Sequence, residues 1–199
     1  MIPYDVAPGD DPFATLTRWI DAARAARSST ADSMCVATVD AEGRPSARIV
    51  LLRGFDRAGL RFYTSYLSRK GRELSDNPAI AAVLHWPELE RQVRVEGVAR
   101  VSSDDESDAY FESRPRGHRL GAWASEQSEP VENHALLEER YEAYEARFGA
   151  EDVPRPHSWG GYTIVPQRIE FWQSRPNRLH DRLRFERSHD GWSAVRLQP

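Results

Sequence analysis

Short stretches with strand character follow one another along this chain with tight turns between them, and this succession constrains its fold most. Residues 34–39, 46–52 and 60–64 are rich in β-branched and aromatic side chains. They are separated by Glu42-Gly43 and by residues 56–59, which are typical turn sequences. Because parallel strands need long crossover connections, strands joined this closely are expected to be antiparallel.

The same pattern returns later in the chain. Further strands are predicted at residues 79–86, 91–101, 162–165, 168–172, 183–187 and 192–196, with a hairpin turn at residues 189–191. Strands and helices do not alternate regularly, and neither a GxGxxG nor a P-loop motif is present, which argues against a doubly wound nucleotide-binding fold. We predict a mainly β, α+β fold, an antiparallel barrel with peripheral helices.

Helical patterns occur around these strands. Asp11 and Pro12 are typical of a helix start, and a short helix is predicted from Ser68 to just before Asn77. Further helices are predicted at residues 104–113 and 131–148. A length of 199 residues predicts one domain over residues 1–199, of which residues 1–10 are expected to form a flexible N-terminal segment.

Composition narrows the possible partners. A formal charge of −4 argues against nonspecific nucleic-acid binding, which needs an excess of clustered cations. The longest apolar stretch, residues 79–84, is far shorter than a membrane-spanning helix, and the acidic N-terminus lacks the pattern of a secretory signal. We therefore expect no membrane partner and a cytoplasmic location. With Cys35 as the only cysteine and no His/Cys ligand spacing, no metal site is expected.

Ser68-Arg69-Lys70 combines a hydroxyl and two cations at a predicted helix start, where free backbone N–H groups already favour an anion. This combination indicates a phosphate site. Strand alternation directs Arg48 and Arg53 to opposite faces of their strand, so the two arginines suit two different anions. The alternative is a solvated helix start beside exposed strand arginines.

A second candidate anion site follows from helical spacing. Tyr110 and Arg114 are four residues apart, so phenol and guanidinium share one face and suit a second phosphate. Arg116 and His118 follow Pro115 in a segment of unusual composition for a connector, although a connector is the simpler interpretation.

Residues 178–182, Arg-Leu-His-Asp-Arg, place two arginines around a histidine after an apolar strand. A histidine that titrates near neutrality, or an arginine beside a hydroxyl or amine, suits the orientation of a reacting carbon. A charged hairpin loop is the alternative. The spacing suggests no nucleophile–base pair, so covalent hydrolysis has little support.

Taken in order, these motifs resemble the pyridoxine (pyridoxamine) 5'-phosphate oxidase family from about Asp11 to the last residues. The matching segments are 48–52, 62–64, 68–70, 91–93, 110–116, 127–128, 170–173 and 178–182. The resemblance implies an FMN-binding split barrel that works as a homodimer, with flavin at the subunit interface and residues 166–199 as the C-terminal dimerisation and active-site part.

The resemblance also implies residue roles. Implied FMN contacts are Arg48, Ile49, Val50, Leu51, Leu52, Arg53, Tyr63, Thr64, Arg69, Lys70, Gln92, Gln127, Ser128, Trp172 and Arg182. Implied substrate contacts are Arg53, Tyr110, Arg114, His118, Arg178, Leu179 and His180, with Arg178 and His180 at the reacting side as the catalytic pair. Arg53 stands where the family commonly has lysine, and His118 where it often has serine.

The implied reaction is oxidation of pyridoxine or pyridoxamine 5'-phosphate to pyridoxal 5'-phosphate, with dioxygen as the acceptor and hydrogen peroxide as a product. Two alternatives remain at this point. One is a related FMN oxidase of the dihydrophenazine type, which acts on another aromatic substrate. The other is a non-catalytic protein that binds flavin or pyridoxal phosphate.

Overall fold

One antiparallel sheet of nine strands forms the centre of the molecule over residues 3–199, the part that the computed structural model describes. The strands are Ser33–Val39 (β1), Pro45–Leu51 (β2), Gly54–Asp56 (β3), Gly59–Ser65 (β4), Ala79–Trp86 (β5), Arg91–Val101 (β6), Trp159–Gln173 (β7), Asp181–Ser188 (β8) and Gly191–Arg196 (β9). Their order is β2-β1-β5-β6-β7-β4-β3, with β8 on β7 and β9 on β8. The predicted antiparallel barrel is confirmed.

The strand β7 is longer than the sequence predicts. Residues 162–165 and 168–172 were expected as two strands, but they form one strand that pairs with β6 along its length, with β4 through its first half and with β8 through its second. Pro166 lacks an N–H, and the register shifts between Glu96 and Gly97 opposite it. A Cβ on Gly97 would lie 2.1 Å from the Val165 carbonyl oxygen, so the bulge needs glycine there.

Five helices surround the sheet within the described residues. They are Pro12–Ala25 (α1), Arg69–Asp76 (α2), Asp104–Glu112 (α3), Arg116–Ala124 (α4) and His134–Phe148 (α5). No helix was predicted directly after residue 115, but α4 begins there, with Pro115 at its N-cap position. The apolar stripe of α5 packs on α4, with Trp123 5.6 Å from the rings of both Tyr144 and Phe148. None of these helices is long and apolar enough to cross a membrane.

The core lies between α1 and the inner face of the barrel. The ring of Trp19 on α1 packs edge-on against Phe171 on β7, with centroids 5.2 Å apart, and both are fully buried. Ahead of α1, Asp5 accepts hydrogen bonds from Trp19 Nε1 at 2.9 Å and from Arg91 at 3.0 Å. The flexibility expected for residues 1–10 stays a prediction, and Met1 and Ile2 lie outside the described residues.

Candidate active site

A cavity of about 1000 Å³ opens between β2 and β4. The strand β2 is one edge of the sheet and lies beside β4, but no ladder of hydrogen bonds joins the two strands in the described chain. Many residues predicted for the site line it: Arg48, Ile49, Val50, Leu51, Arg53, Tyr63, Thr64, Arg69, Lys70, Tyr110, Arg114, His118, Gln127 and Ser128. Five residues that were not predicted also line it: Ser46, Ala47, Ser113, Pro115 and Trp159. The fold thus brings the two predicted phosphate motifs to one cavity.

The first motif forms a cation site at the start of α2. Ser68 caps the helix by accepting from Gly71 N–H at 3.3 Å. The buried ammonium of Lys70 donates to Thr64 Oγ1 at 2.7 Å and Ser68 Oγ at 3.2 Å, and it forms no ion pair with any carboxylate of residues 3–199. Burial lowers the pKa of Lys70 to about 8; the nearby Arg48 charge adds to this, and Glu73 opposes it.

Glu73 organises the arginines beside this lysine, and the sequence analysis missed it. Its buried carboxylate accepts from Arg69 Nε at 2.8 Å, from Arg48 Nη2 at 3.2 Å and from Ser46 Oγ at 2.7 Å. Burial alone would raise the pKa of Glu73, but these donors and Thr38 outweigh burial and hold the pKa at about 2. Two arginines from different elements are therefore fixed at the cavity wall by one carboxylate.

A second cation site is built around Arg114. Its guanidinium carbon lies 4.6 Å from the centroid of the Trp159 ring, and its Nη1 atom is buried without a hydrogen-bond partner in the described chain. Burial lowers the pKa of Arg114; Tyr110 opposes the shift and Arg53 adds to it. A buried guanidinium nitrogen without an acceptor at a cavity wall suits an anionic ligand.

Aromatic rings and an amide complete the cavity wall. The rings of Tyr63 and Tyr110 stack with centroids 3.9 Å apart. Gln127 Oε1 accepts from Thr64 Oγ1 at 2.9 Å and from Ser65 N–H at 3.0 Å. These hydrogen bonds fix the loop after α4 against β4, and they bring Gln127 beside the lysine site.

The remaining predicted residues do not reach this cavity. Leu52 is buried in the core. Gln92 lies directly opposite Trp172 on the neighbouring strand, and Trp172 lies opposite Arg182 on the next. Because paired residues of antiparallel strands share a face, these three side chains form a row on one side of the sheet.

A loop carries the other predicted residues to this row. His180 packs against Trp172 with ring centroids 4.7 Å apart, whereas Arg178 and Leu179 are exposed before it. His180 Nδ1 accepts from the Arg175 backbone N–H at 3.1 Å, so Nε2 carries the proton of the neutral imidazole. We refer to Gln92, Trp172, Arg178, Leu179, His180 and Arg182 as the C-terminal cluster.

The sequence around Trp159 carries a signal of a close contact. Trp159 precedes Gly160-Gly161 in a strand, and a Cβ on Gly160 would lie 2.0 Å from Tyr66 Oη. Paired glycines inside a strand indicate a close approach by another group, here beside the cavity. Glu73 carried no comparable signal, because its partners come from β1, β2 and α2.

Comparison with protein families gives two consecutive matches. Residues 20–148 match the model of the pyridoxamine 5'-phosphate oxidase family. Residues 159–199 match the model of the pyridoxine 5'-phosphate oxidase C-terminal dimerisation region. Together the two matches cover most of the chain and include both the cavity and the C-terminal cluster.

Individual relatives agree with these matches. The chain is 55% identical over 189 residues to a pyridoxine/pyridoxamine 5'-phosphate oxidase of Rubrobacter xylanophilus, which covers 95% of this chain and 87% of that protein. It is 54% identical over 196 residues to the oxidase of the same name from Cupriavidus necator, covering 98% and 91%.

Solved structures share the fold. The crystal structure of PhzG from Burkholderia lata 383 in complex with tetrahydrophenazine-1-carboxylic acid superposes with a TM-score of 0.91 at 31% identity, covering 98% of each chain. A pyridoxamine 5'-phosphate oxidase-related, FMN-binding protein from Nostoc punctiforme has a TM-score of 0.72 at 19% identity, covering 98% of this chain and 100% of that one, and it supports the fold alone.

Proposed function

The chain belongs to the pyridoxine/pyridoxamine 5'-phosphate oxidase family, and from this premise we propose how its residues perform FMN-dependent oxidation of a B6 5'-phosphate. The substrate is pyridoxine or pyridoxamine 5'-phosphate and the product is pyridoxal 5'-phosphate. In the proposal, dioxygen is the final acceptor and hydrogen peroxide is released. The cytoplasmic location expected from the sequence stays a prediction.

One observation carries the assignment of residues: a single cavity holds two separate cationic groups whose pKa is lowered by burial, the ammonium of Lys70 and the guanidinium of Arg114. Lys70 has no ion pair within the described chain, and Arg114 has a buried Nη1 without an acceptor there, whereas the neighbouring Arg48 is paired with Glu73 and the neighbouring Arg53 is exposed. The second positive charge near each group adds to the cost of leaving it without an anion. A cofactor and a substrate that each carry a phosphate ester suit two such sites.

The residues present fit FMN at the lysine site. Lys70, Arg69 and the start of α2 would hold its phosphate, and Arg48, Tyr63, Thr64, Gln127 and Ser128 line the wall beside it. When bound, FMN supplies the two-electron oxidation chemistry that amino-acid side chains lack. The protein's own task is to bind, orient and exclude water.

Arg114, Tyr110, Arg53 and His118 would hold the substrate phosphate. Arg114 offers a buried Nη1 without an acceptor, and Tyr110 lies stacked on Tyr63 beside it. A phosphate held here orients the rest of the vitamer through a charged anchor remote from the reacting carbon.

Arg178 and His180 are proposed to act at that carbon. Arg178 would position the hydroxyl or amine and assist removal of its proton. The Nε2–H of His180 is available to donate, since Nδ1 is occupied by the Arg175 N–H. Both residues belong to the C-terminal cluster, away from the cavity of their own chain.

A homodimer reconciles these positions. The chain contains the family's C-terminal dimerisation region, and we propose that the C-terminal cluster of one protomer, within residues 166–199 together with Gln92, completes the cavity of its partner. Ile49 and Leu51 project from β2 at the cavity with 64% and 44% exposure, which suits coverage by a second copy.

The dimer proposal is tested by complementation between two defective variants, Arg114→Met and Arg178→Ala. If Arg114 and Arg178 of one site come from different protomers, each mixed dimer has one intact site and one doubly defective site. Random pairing makes about half of all dimers mixed, so coexpression should restore about a quarter of wild-type activity. If each site is built from one chain, mixing will restore nothing.

Oxidation of a different aromatic substrate is the competing function, because PhzG shares the fold at 31% identity. The buried Arg114 Nη1 favours a phosphorylated substrate, since a neutral ring would leave it unpaired. A non-catalytic flavin or pyridoxal-phosphate binder remains the third hypothesis.

The decisive experiment is anaerobic mixing of FMN-loaded protein with pyridoxine 5'-phosphate. We expect bleaching of the flavin absorbance, then its recovery with peroxide formation when air is admitted. Bleaching only with unphosphorylated aromatics would support the PhzG-like alternative. If these compounds bind but none of them bleaches the flavin, a storage role would be supported.

A further inference from the structure

We propose that Asp181 is a positioning residue that holds the loop of residues 174–180 so that Arg178 and His180 face the reacting carbon. The inference rests on the roles proposed above for Arg178 and His180. Asp181 itself begins β8, and neither the family matches nor the sequence motifs give it a role. Its contacts, and not its own chemistry, carry the argument.

The backbone of this loop has an unusual conformation. Asn177 and Arg178 both have left-handed backbone angles, with φ of 57° and 60°. Two consecutive non-glycine residues in this region persist only where surrounding contacts determine them. The contacts at the two ends of the loop therefore determine where the Arg178 side chain points.

Asp181 is the residue that fixes both ends. One carboxylate oxygen, Oδ2, accepts from Arg175 Nε at 2.5 Å, at the start of the loop. The other, Oδ1, accepts from Arg196 Nη1 at 3.1 Å, on the last strand. The same side chain thus closes the loop on itself and attaches it to β9.

The closed loop then orients His180. Arg175, whose guanidinium pairs with Asp181, also donates its backbone N–H to His180 Nδ1, 3.1 Å away, so one residue links the carboxylate to the histidine. Ser174 N–H donates to the Glu90 carbonyl at 2.9 Å and secures the base of the loop. Loss of the Asp181 charge would remove the ion pair that joins Arg175 to the start of β8, and would thereby weaken the hold on the His180 tautomer and on the direction of Arg178.

The test compares the FMN-loaded dimers of wild type, Asp181→Asn, Asp181→Glu and the control Asp190→Asn, whose carboxylate lies exposed in the β8–β9 turn. For Asp181→Asn we expect kcat to fall about 10- to 100-fold, as for a catalytic group misplaced by about 1 Å, with KM and FMN content within about twofold of wild type. Asp181→Glu keeps the charge and should recover part of kcat. Asp190→Asn should match wild type.

Trypsin supplies a readout that does not depend on activity. In the proposed dimer the bond after Arg178 is protected while the loop is held in the partner's cavity, and Arg175 precedes a proline, so nicking after residue 178 reports release of the loop. Asp181→Asn should be cut after Arg178 at least about fivefold faster than wild type and Asp190→Asn.

Three results would overturn the inference. These are wild-type kcat in Asp181→Asn, an unchanged cleavage rate with a lowered kcat, and a parallel loss of FMN, KM and thermal stability that marks a general structural role. If wild type fails to oxidise pyridoxine 5'-phosphate, the proposed function fails by itself. The cleavage rates then still decide whether Asp181 holds the loop.

Discussion

Lys70 gives the sharpest prediction. Its buried charge should destabilise the protein without FMN, and the same charge should strengthen the binding of FMN. Replacing Lys70 by methionine keeps an unbranched side chain that is one atom shorter and removes the charge. Thr64 and Ser68 retain other partners, Gln127 and the Ser65 carbonyl. We expect Lys70→Met to stabilise the protein without FMN and to weaken FMN binding by about 10- to 100-fold, the effect of losing a charged hydrogen bond.

The size and the pH dependence of the first effect follow from the pKa of Lys70. The pKa falls from 10.5 to about 8 in the folded protein. At about 1.4 kcal/mol per pKa unit, and allowing for partial solvent screening, the charged form costs about 2–3 kcal/mol of folding free energy. The folded pKa is the lower one, so the full cost applies below pH 8 and fades as the pH rises to 10.5.

The chain makes this measurable, because Lys70 is its only lysine. Lysine labelled with ¹³C and ¹⁵N gives one side-chain signal, whose titration midpoint should lie near 8 without FMN and rise when FMN binds. Urea unfolding at pH 7 and pH 10 should show the advantage of Lys70→Met shrinking with pH. Arg72→Met, on the same helix but outside the cavity, is the matched control. A midpoint near 10.5 in the FMN-free protein, or an advantage that grows with pH, would refute the reasoning.

Three further outcomes are expected. Arg114→Met should raise KM for the phosphorylated substrate about 10- to 100-fold and leave FMN affinity unchanged, because one charged hydrogen bond to phosphate is lost; steady-state kinetics and flavin titration separate the two, and equal weakening of both contradicts two separate sites. Glu73→Gln should lower the free energy of unfolding by about 1–2 kcal/mol near neutral pH. Because the pKa of Glu73 is lower in the folded protein, this difference from wild type should disappear as the pH falls from 4.5 to about 2, which acid unfolding measures. Gly97→Ala should destabilise the protein by about 1–3 kcal/mol in urea unfolding, because its Cβ would meet the Val165 carbonyl; an unaffected midpoint would show that the bulge relaxes freely.

The strands and turns were predictable because their signals are local. The turn at Glu42-Gly43 has Gly43 at a φ of 80°, and the hairpin before Gly191 lies where expected. The predicted secondary structure was wrong where contacts between residues far apart in the chain determine it. Pro166 separates two strands in the sequence, but the facing bulge at Gly97 accommodates it within one. The helix α4 is short and contains two glycines, so propensity gave no indication of it.

The anion-binding motifs of the candidate site were predictable from the sequence. Which residues come together in one cavity was not. The start of α2 follows from helix geometry alone. Arg114 lies beyond the end of α3, in the bend before α4, so it reaches the cavity with Tyr110 although the helical spacing used to predict the pair does not extend to it. Gln127 came only from the resemblance, since its contact with Thr64 joins residues far apart in the chain. Likewise, no spacing in the sequence indicates that Arg178 and His180 lie outside the cavity that contains Arg114.

The missing ladder between β2 and β4 has a consequence for how the protein responds to heat. FMN bound in the cavity would contact Arg48 on β2 and Thr64 on β4, and would thereby join two strands that the backbone leaves unpaired. Melting temperature should therefore climb with the logarithm of added FMN, by mass action on the folded state. In a cell short of riboflavin, the amount of this enzyme would then decline together with its cofactor.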